Sequence, residues 1–132
     1  MKRFVTMVLA GMFLLVAAQA LAEEANVRIC ALTKGIECNR DEGCIEWSLP
    51  DMNLPRFIKI DFGAKTLMSL DKTIRPEITK ISTIGQLGGT TILQGIEQRG
   101  WNMELGDDDG FLVLTASGED HGFVVFGNCL AP

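Results

Sequence analysis

The sequence has few of the side chains that nucleophilic catalysis needs. His121 is the only histidine and there is no tyrosine, so a Ser–His or Cys–His pair would have to use His121. The nearest serine, Ser117, lies outside the Gly-x-Ser-x-Gly motif that presents a nucleophile in many hydrolases. Acidic residues are numerous but scattered over turns, so no carboxylate pair stands out. We therefore expect no catalytic residues, no enzyme activity and no cofactor.

The chain is also poor in basic residues. It has 12 lysines and arginines against 17 aspartates and glutamates, with no basic cluster to offset that balance. An acidic surface repels the phosphates of nucleic acids and anionic lipids. We therefore predict no nucleic-acid partner and no stable membrane insertion once the N-terminal segment is removed.

The one long hydrophobic run lies at the N-terminus and is organised like a secretory signal peptide. The first residues are basic, residues 4–18 are apolar and uncharged, and small residues precede a cleavage point between Ala22 and Glu23. A spanning helix usually needs about 20 apolar residues, so an uncleaved anchor is the weaker alternative. We predict a cleaved segment at residues 1–22 and a single exported domain at residues 23–132.

Cysteine is limited to four residues of the predicted exported part: Cys30, Cys38, Cys44 and Cys129. Cysteines form disulfides in oxidising compartments, and four of them allow three pairings. A polar turn ending in Gly43 separates Cys38 from Cys44, which favours a bridge there and leaves Cys30 for Cys129. A zinc site is the alternative, but no Cys-x-x-Cys pair is present.

The exported part lacks a sustained helical pattern and is instead typical of a series of short strands. Runs rich in β-branched and aromatic residues alternate with turn residues at intervals of about 8 to 12 residues. The runs are residues 26–34, 44–48, 56–62, 65–70, 78–84, 90–97, 100–105, 111–116 and 122–127. They predict an all-β fold, a single small antiparallel meander barrel of about eight or nine strands tied by disulfides. A β-sandwich is the alternative.

Alternation along the runs predicts which side chains are buried. Trp101, Met103 and Leu105 alternate with polar residues, so one face of that strand is expected to be buried. Residues 111–114 and 123–126 are apolar at every position. Strands of that kind are usually covered on both faces, or cover something themselves.

Three consecutive aspartates, Asp107, Asp108 and Asp109, suggest either a cation site or a turn. The spacing does not match an EF-hand loop, which needs a glycine at its sixth position and a glutamate at its twelfth. Strand-like runs flank the triplet, with Gly106 and Gly110 at its ends, as in a hairpin turn. We predict a turn and no metal site, with a weak cation site or a partner-binding loop as alternatives.

Arg99, Trp101 and His121 are the candidates for contacts with a partner or ligand. Arginine and tryptophan are enriched at binding hot spots, and Arg99 falls in a predicted loop. Trp101 also fits a core position, and His121 fits an ordinary loop residue before a strand. The link at residues 50–55 has a proline at each end and is a candidate lid over one end of the barrel.

Three segments carry a resemblance to a known group of proteins: NLPRFIKID at residues 53–61, TTILQGIEQRGWNMEL at residues 90–105 and GFVVFGNC at residues 122–129. Together they resemble small exported proteins of Gram-negative bacteria that have no assigned activity. The resemblance implies a periplasmic location and a β-rich fold. The predicted architecture is also similar to that of periplasmic inhibitors of C-type lysozyme, whose motif is Ser-Gly-x-x-Tyr; here Ser117 and Gly118 match, and His121 stands in place of the tyrosine.

These observations predict a non-enzymatic binding module, periplasmic or secreted, that recognises a protein partner or a small ligand. One alternative is a lipocalin-like carrier of an apolar small molecule, which would need an internal cavity of about 300 Å³ or more. The other is an inhibitor of a lysozyme-type enzyme.

Overall fold

A computed structural model describes residues 26–130, so the predicted signal peptide and the cleavage point between Ala22 and Glu23 lie outside the described residues. Within this range the chain forms ten β-strands and no helix, which confirms the all-β prediction. The described residues accordingly include no helix able to cross a membrane. The strands are β1 (Val27–Asn39), β2 (Gly43–Trp47), β3 (Phe57–Asp61), β4 (Thr66–Ser69), β5 (Thr79–Lys80), β6 (Thr83–Leu87), β7 (Thr90–Ile96), β8 (Gly100–Gly106), β9 (Phe111–Ser117) and β10 (His121–Cys129).

All strands belong to one antiparallel sheet that curls into a half-barrel. The order is β5-β4-β3-β1-β10-β9-β8-β7-β6, and β2 pairs with β1 off this path. The sheet is a meander from β6 to β10, as predicted, whereas β1 lies between β10 and β3. The first and last strands are therefore neighbours in the middle of the sheet.

The two edge strands, β5 and β6, are consecutive in the chain and meet at Ile81 and Ser82. The Ile81 amide donates to the Lys65 carbonyl (2.9 Å), and the Ser82 amide donates to the Gln94 carbonyl (2.7 Å). The prediction of one strand at residues 78–84 is therefore wrong. The run bends and changes its pairing partner, and so links the two edges of the half-barrel.

β1 is longer than predicted because its second half has partners on both sides. Its first five residues pair with β3, its last five pair with β2, and β10 runs along its other edge. A β-bulge lies between Leu32 and Lys34. The hairpin of β1 and β2 passes beyond the end of β3, and all five residues of β2 are exposed.

The core lies on the inner face of the sheet, where alternate side chains from facing strands meet. Met103 and Leu105 are buried while Glu104 between them is exposed, which confirms the predicted alternation. The most deeply buried side chains are Ile60, Leu93, Met103, Leu105, Leu112, Val125 and Cys30. Each large apolar side chain buried in this way contributes about 1.5–3 kcal/mol to stability.

Two disulfides join the four cysteines in the predicted pairing. The Cys30–Cys129 bridge links the directly opposed ends of β1 and β10 across 99 positions of the chain. The Cys38–Cys44 bridge closes the β1–β2 hairpin. Disulfides of this kind indicate an oxidising, non-cytoplasmic location.

The outer face of β9 and β10 is uncovered, so the expectation that these strands are covered on both faces is wrong, whereas the alternative that they cover something themselves agrees with their buried inner face. Phe111 is 45% exposed, and its ring contacts that of Phe126 with centroids 6.5 Å apart. Their neighbours Leu112 and Val125 point inwards and are buried. No second layer of described residues covers this outer face, because the half-barrel is a single curved sheet.

Candidate functional site

One row of side chains crosses the inner face of the half-barrel near one end, which we call the open end. Cross-strand pairing places Trp101 opposite both Gly95 and Ala116, and Phe123 opposite Ala116. Two large aromatic side chains thus alternate with two small residues. A Cβ atom on Gly95 would lie 2.4 Å from Cζ2 of Trp101, so the indole packs directly over this glycine.

A cavity of about 290 Å³ opens at this end of the half-barrel. Its walls include inward-facing apolar side chains from several strands: Leu32, Ile58, Leu67, Met103 and Leu114. Trp101, Ala116 and Phe123 continue the wall towards the rim. The volume is close to the lower end of the range of about 300–1,000 Å³ that is usual for small-molecule sites.

The link between β2 and β3 lies at this end, where the sequence suggested a lid. Met52, Asn53, Leu54 and Pro55 line the cavity. Two backbone hydrogen bonds hold the loop, from the amide of Asn53 to the Pro50 carbonyl (2.9 Å) and from Leu54 to Leu49 (2.8 Å). A Cβ on Gly35 would lie 2.2 Å from the Met52 sulfur, so this glycine of β1 makes room for the loop.

Polar residues form part of the rim, and one ion pair is central to it. Arg75 and Glu97 form a salt bridge through Nη2 and Oε2. The hydroxyl of the buried Thr79 donates to the other oxygen of Glu97 at 3.0 Å. Both carboxylate oxygens of Glu97 are therefore engaged, and the positive charge of Arg75 is compensated.

Arg99 lies in the tight turn between β7 and β8 and also lines the cavity. Its guanidinium carbon lies 4.7 Å from the centroid of the Phe123 ring, a cation–π contact. Nη1 of Arg99 is buried and has no hydrogen-bond partner among the described residues. Nε1 of Trp101 is also buried and has no hydrogen-bond partner among the described residues. Two residues of the cavity wall thus each have a buried donor nitrogen without a partner among the described residues.

His121 does not line the cavity but contacts a residue that does. Its ring meets the edge of Phe123 with centroids 5.2 Å apart, and its Nδ1 lies 2.5 Å from the Asp120 carboxylate. Phe123 therefore has Arg99 over its face and His121 at its edge. The three residues predicted as contacts thus lie at one end of the half-barrel: two line the cavity and the third supports its wall.

The aspartate triplet lies at the opposite end and forms a hairpin tip between β8 and β9, which confirms the turn prediction. Asp107 accepts a hydrogen bond from the Thr91 hydroxyl (2.6 Å), and Asp109 accepts one from the Phe111 amide (2.9 Å). Residues 26–130 contain no group of three or more metal-ligating side chains. Two of the carboxylates therefore serve the local structure of the hairpin.

Trp47 lies on the exposed strand β2 and does not pack into the core, since 44% of its surface is exposed. Alternation along β2 places Trp47 on the face opposite to Cys44, three positions away. Ile45 shares the exposed face of Trp47, whereas Glu46 forms a 2.7 Å salt bridge with Lys34 on the other face.

Several cavity residues were missed by the sequence reasoning, notably Phe123, Arg75 and Glu97. They come from a strand and two turns that are far apart in the chain, so no local spacing connects them. The signal that could have found Phe123 is the doubly apolar run at residues 123–126, which was read as buried on both faces.

Comparisons of the chain with protein-family models, with curated proteins and with solved structures found no match. Any proposal about function therefore rests on the geometry of the cavity itself.

Proposed function

We propose that the protein is an exported binding module that takes up a small, largely apolar molecule in the cavity at the open end. The observation that carries this proposal is the open cavity of about 290 Å³ with an apolar wall built from six strands. A fully packed half-barrel would have filled this space with side chains. The small side chain of Ala116, between Trp101 and Phe123, leaves part of it open instead.

Apolar contact supplies the affinity in this proposal. Each square ångström of apolar surface removed from water contributes about 25 cal/mol, before the cost of immobilising the ligand. Leu67, Met103 and Leu114 form part of the surface against which such a ligand would pack. The loop at residues 50–55 covers one side of the ligand and the Arg75–Glu97 pair borders another.

The periplasm, or the medium outside the cell, is the compartment that we propose for this activity. The two disulfides support an oxidising compartment. The signal-peptide pattern at residues 1–22 and the resemblance to exported proteins of Gram-negative bacteria support export. Extraction of the periplasm by osmotic shock, followed by immunoblotting, tests this part of the proposal.

A neutral probe tests the binding function without presupposing a charged ligand. N-phenyl-1-naphthylamine fluoresces strongly in apolar surroundings, so titration of the protein with this dye should give a saturable signal with one site per chain. Decanol should displace the dye. A dye signal that rises linearly with no saturation would contradict the proposal.

A matched pair of variants locates the site. Ala116→Leu places a larger side chain in the cavity wall between Trp101 and Phe123, so dye binding should fall about ten-fold or more as the space is filled. Thr115→Leu places the same side chain on the exposed outer face of β9 and should leave binding unchanged. If the two substitutions weakened dye binding equally, the cavity would not be the binding site.

Recognition of a protein partner is a second candidate, favoured by the exposed pair Ile45 and Trp47 on β2. The turn that contains Ser117 and Gly118 also lies at the open end of the half-barrel, beside His121. Protection of cells or cell walls from lysis by a C-type lysozyme tests the inhibitor form of this candidate. Protection that Trp47→Ser abolishes would support it, and lack of protection by the wild-type protein would eliminate it.

A further inference from the structure

We infer that the ligand carries a carboxylate, which Arg99 holds at the rim of the cavity. This inference rests on the proposed function and adds the chemical class of the ligand. Its basis is the uncompensated charge of Arg99 in the cavity wall, together with its buried Nη1 atom, which finds no acceptor within residues 26–130.

Arg99 is a cation without a compensating carboxylate. The acidic residue next to it in the turn, Glu97, is already engaged by Arg75 and by the Thr79 hydroxyl. The guanidinium lies over the face of Phe123, and its Nη1 atom lies beside Gly118, neither of which supplies a negative charge. A buried donor that loses water and gains no acceptor costs about 1–3 kcal/mol, more for a charged group. An anionic acceptor brought by a ligand would remove that cost.

Trp101 forms the wall beside Arg99 but offers no accessible donor. Its Nε1 atom is buried, and the indole is held in place because it packs over Gly95, where a side chain would collide with it. The head group of a ligand would therefore meet the guanidinium of Arg99, and a cation favours an anion over a neutral alcohol or sugar.

Access to Arg99 needs only a local adjustment. The residue as a whole is partly exposed, and Nη1 is the only one of its three nitrogens found buried without a partner. A head group can therefore reach the outer nitrogens, and rotation about the last side-chain torsions brings Nη1 towards it. Carboxylates match the guanidinium in a planar, two-point arrangement.

The charge at the rim limits the head group to a single negative charge. Arg75 is already paired with Glu97, so Arg99 is the one uncompensated cation among the described residues that line the cavity. Glu77 also lines the rim but is exposed, where water and salt screen its charge. A monoanionic carboxylate on an apolar body fits this wall, and both a fatty acid and an aromatic acid satisfy that description.

Affinity measurements with matched acids and alcohols test the inference. Decanoate should bind the wild-type protein about ten-fold or more tightly than decanol at neutral pH, because a charge-assisted hydrogen bond replaces an unsatisfied donor. Comparison of decanoate with 2-naphthoate separates an acyl chain from an aromatic body. Displacement of N-phenyl-1-naphthylamine provides the measurement for every ligand.

Substitutions at Arg99 assign the preference to its charge. Arg99→Met should remove the preference for decanoate while decanol and the neutral dye still bind, and Arg99→Lys should restore part of it. Arg56→Met is the matched control, because Arg56 is exposed beside the lid loop and does not line the cavity.

The outcomes separate this inference from the proposed function. If the dye and decanol bind but decanoate binds no more tightly, the carboxylate is wrong and the apolar site stands. If Arg99→Met keeps the preference for decanoate while the dye still binds, the assignment to Arg99 is overturned. If neither dye, decanol nor decanoate binds, both proposals fail.

Discussion

The two ends of the half-barrel are built by the same strands but differ in how their inward side chains fill space. At the end that carries the aspartate hairpin, which we call the filled end, Leu105, Leu112 and Cys30 are fully buried. At the open end, Trp101 and Leu114 remain partly exposed and border the cavity. A single sheet can therefore supply a solid core at one end and an open cavity at the other.

Residue size along each strand accounts for the difference. β8 and β9 place Leu105 and Leu112 opposite each other at the filled end, so that two large side chains meet. Two rows further along, the same strands place Trp101 opposite Ala116. Inward-facing and outward-facing residues alternate along the whole of both strands. At the open end, however, the inward-facing side chains do not fill the space between the strands.

Removal of the disulfide at the filled end should have the largest effect. In the chain-entropy model, a loop of about 100 residues contributes about 4.7 kcal/mol, so Cys30→Ala/Cys129→Ala should lose most of the stability of a typical domain. The control is Cys38→Ala/Cys44→Ala, whose short loop in the exposed hairpin predicts a loss of about 2 kcal/mol. Urea unfolding measures both, and equal losses would show that the filled end has no special role.

Core truncation compares the two ends directly. Leu112→Ala should cost about 3–5 kcal/mol, because it leaves a void in a fully buried layer. Leu114→Ala should cost about 1–2 kcal/mol, because its side chain already borders the cavity and is partly exposed. The free energies of unfolding from urea titrations check the order. A larger loss at Leu114 would mean that the open end is packed as tightly as the other.

Part of the fold could be predicted from the sequence alone. The period of two and the turn residues predicted an all-β fold, and the short loop between Cys38 and Cys44 predicted one disulfide. The pairing of β1 with β3 was not predicted, because strand order depends on long-range pairing that local periodicity does not encode. The bend at Ile81 and Ser82 was missed for the same reason.

The cavity was only partly accessible to sequence reasoning. Arg99 and Trp101 were chosen for their residue types and lie in its wall, and the link at residues 50–55 was recognised as a candidate lid. The absence of filling side chains could not be predicted, because it results from Ala116 lying between Trp101 and Phe123 across strands. Whether a small residue leaves a cavity depends on its neighbours in the adjacent strands, which the sequence does not identify.

Backbone geometry at the filled end offers a smaller test. Gly110 has φ of 68°, and a Cβ there would lie 2.3 Å from the carbonyl oxygen of Cys129. Gly110→Ala should therefore cost about 2 kcal/mol, from the left-handed backbone and the collision together. The exposed hairpin residue Asp108→Ala should change stability by less than about 0.5 kcal/mol. Thermal unfolding distinguishes the two, and an unaffected Gly110→Ala protein would contradict the packing described.

The smallest effect is expected in the loop between β4 and β5, at the open end. Hydrogen bonds from the Thr73 hydroxyl and amide lower the pKa of Asp71 below its ordinary value of 3.8. The stabilisation by this carboxylate is therefore complete above that value and is lost as the pH falls through the lower folded-state pKa. Thr73→Val should raise the pKa of Asp71, as followed by NMR titration of the carboxyl carbon. If the pKa of Asp71 were unchanged in the Thr73→Val protein, the Thr73 hydroxyl would not be the cause of its lowering.

The most direct test of the account is an NMR titration that observes the two tryptophan indole N–H signals. Trp101 lines the cavity, whereas Trp47 lies on the exposed hairpin and does not line it, so one protein contains both the probe and its control. We predict that decanoate shifts the Trp101 signal in a saturable manner and leaves the Trp47 signal in place. A shift of Trp47 alone, or no shift of Trp101 at saturating decanoate, would contradict a ligand site at the open end.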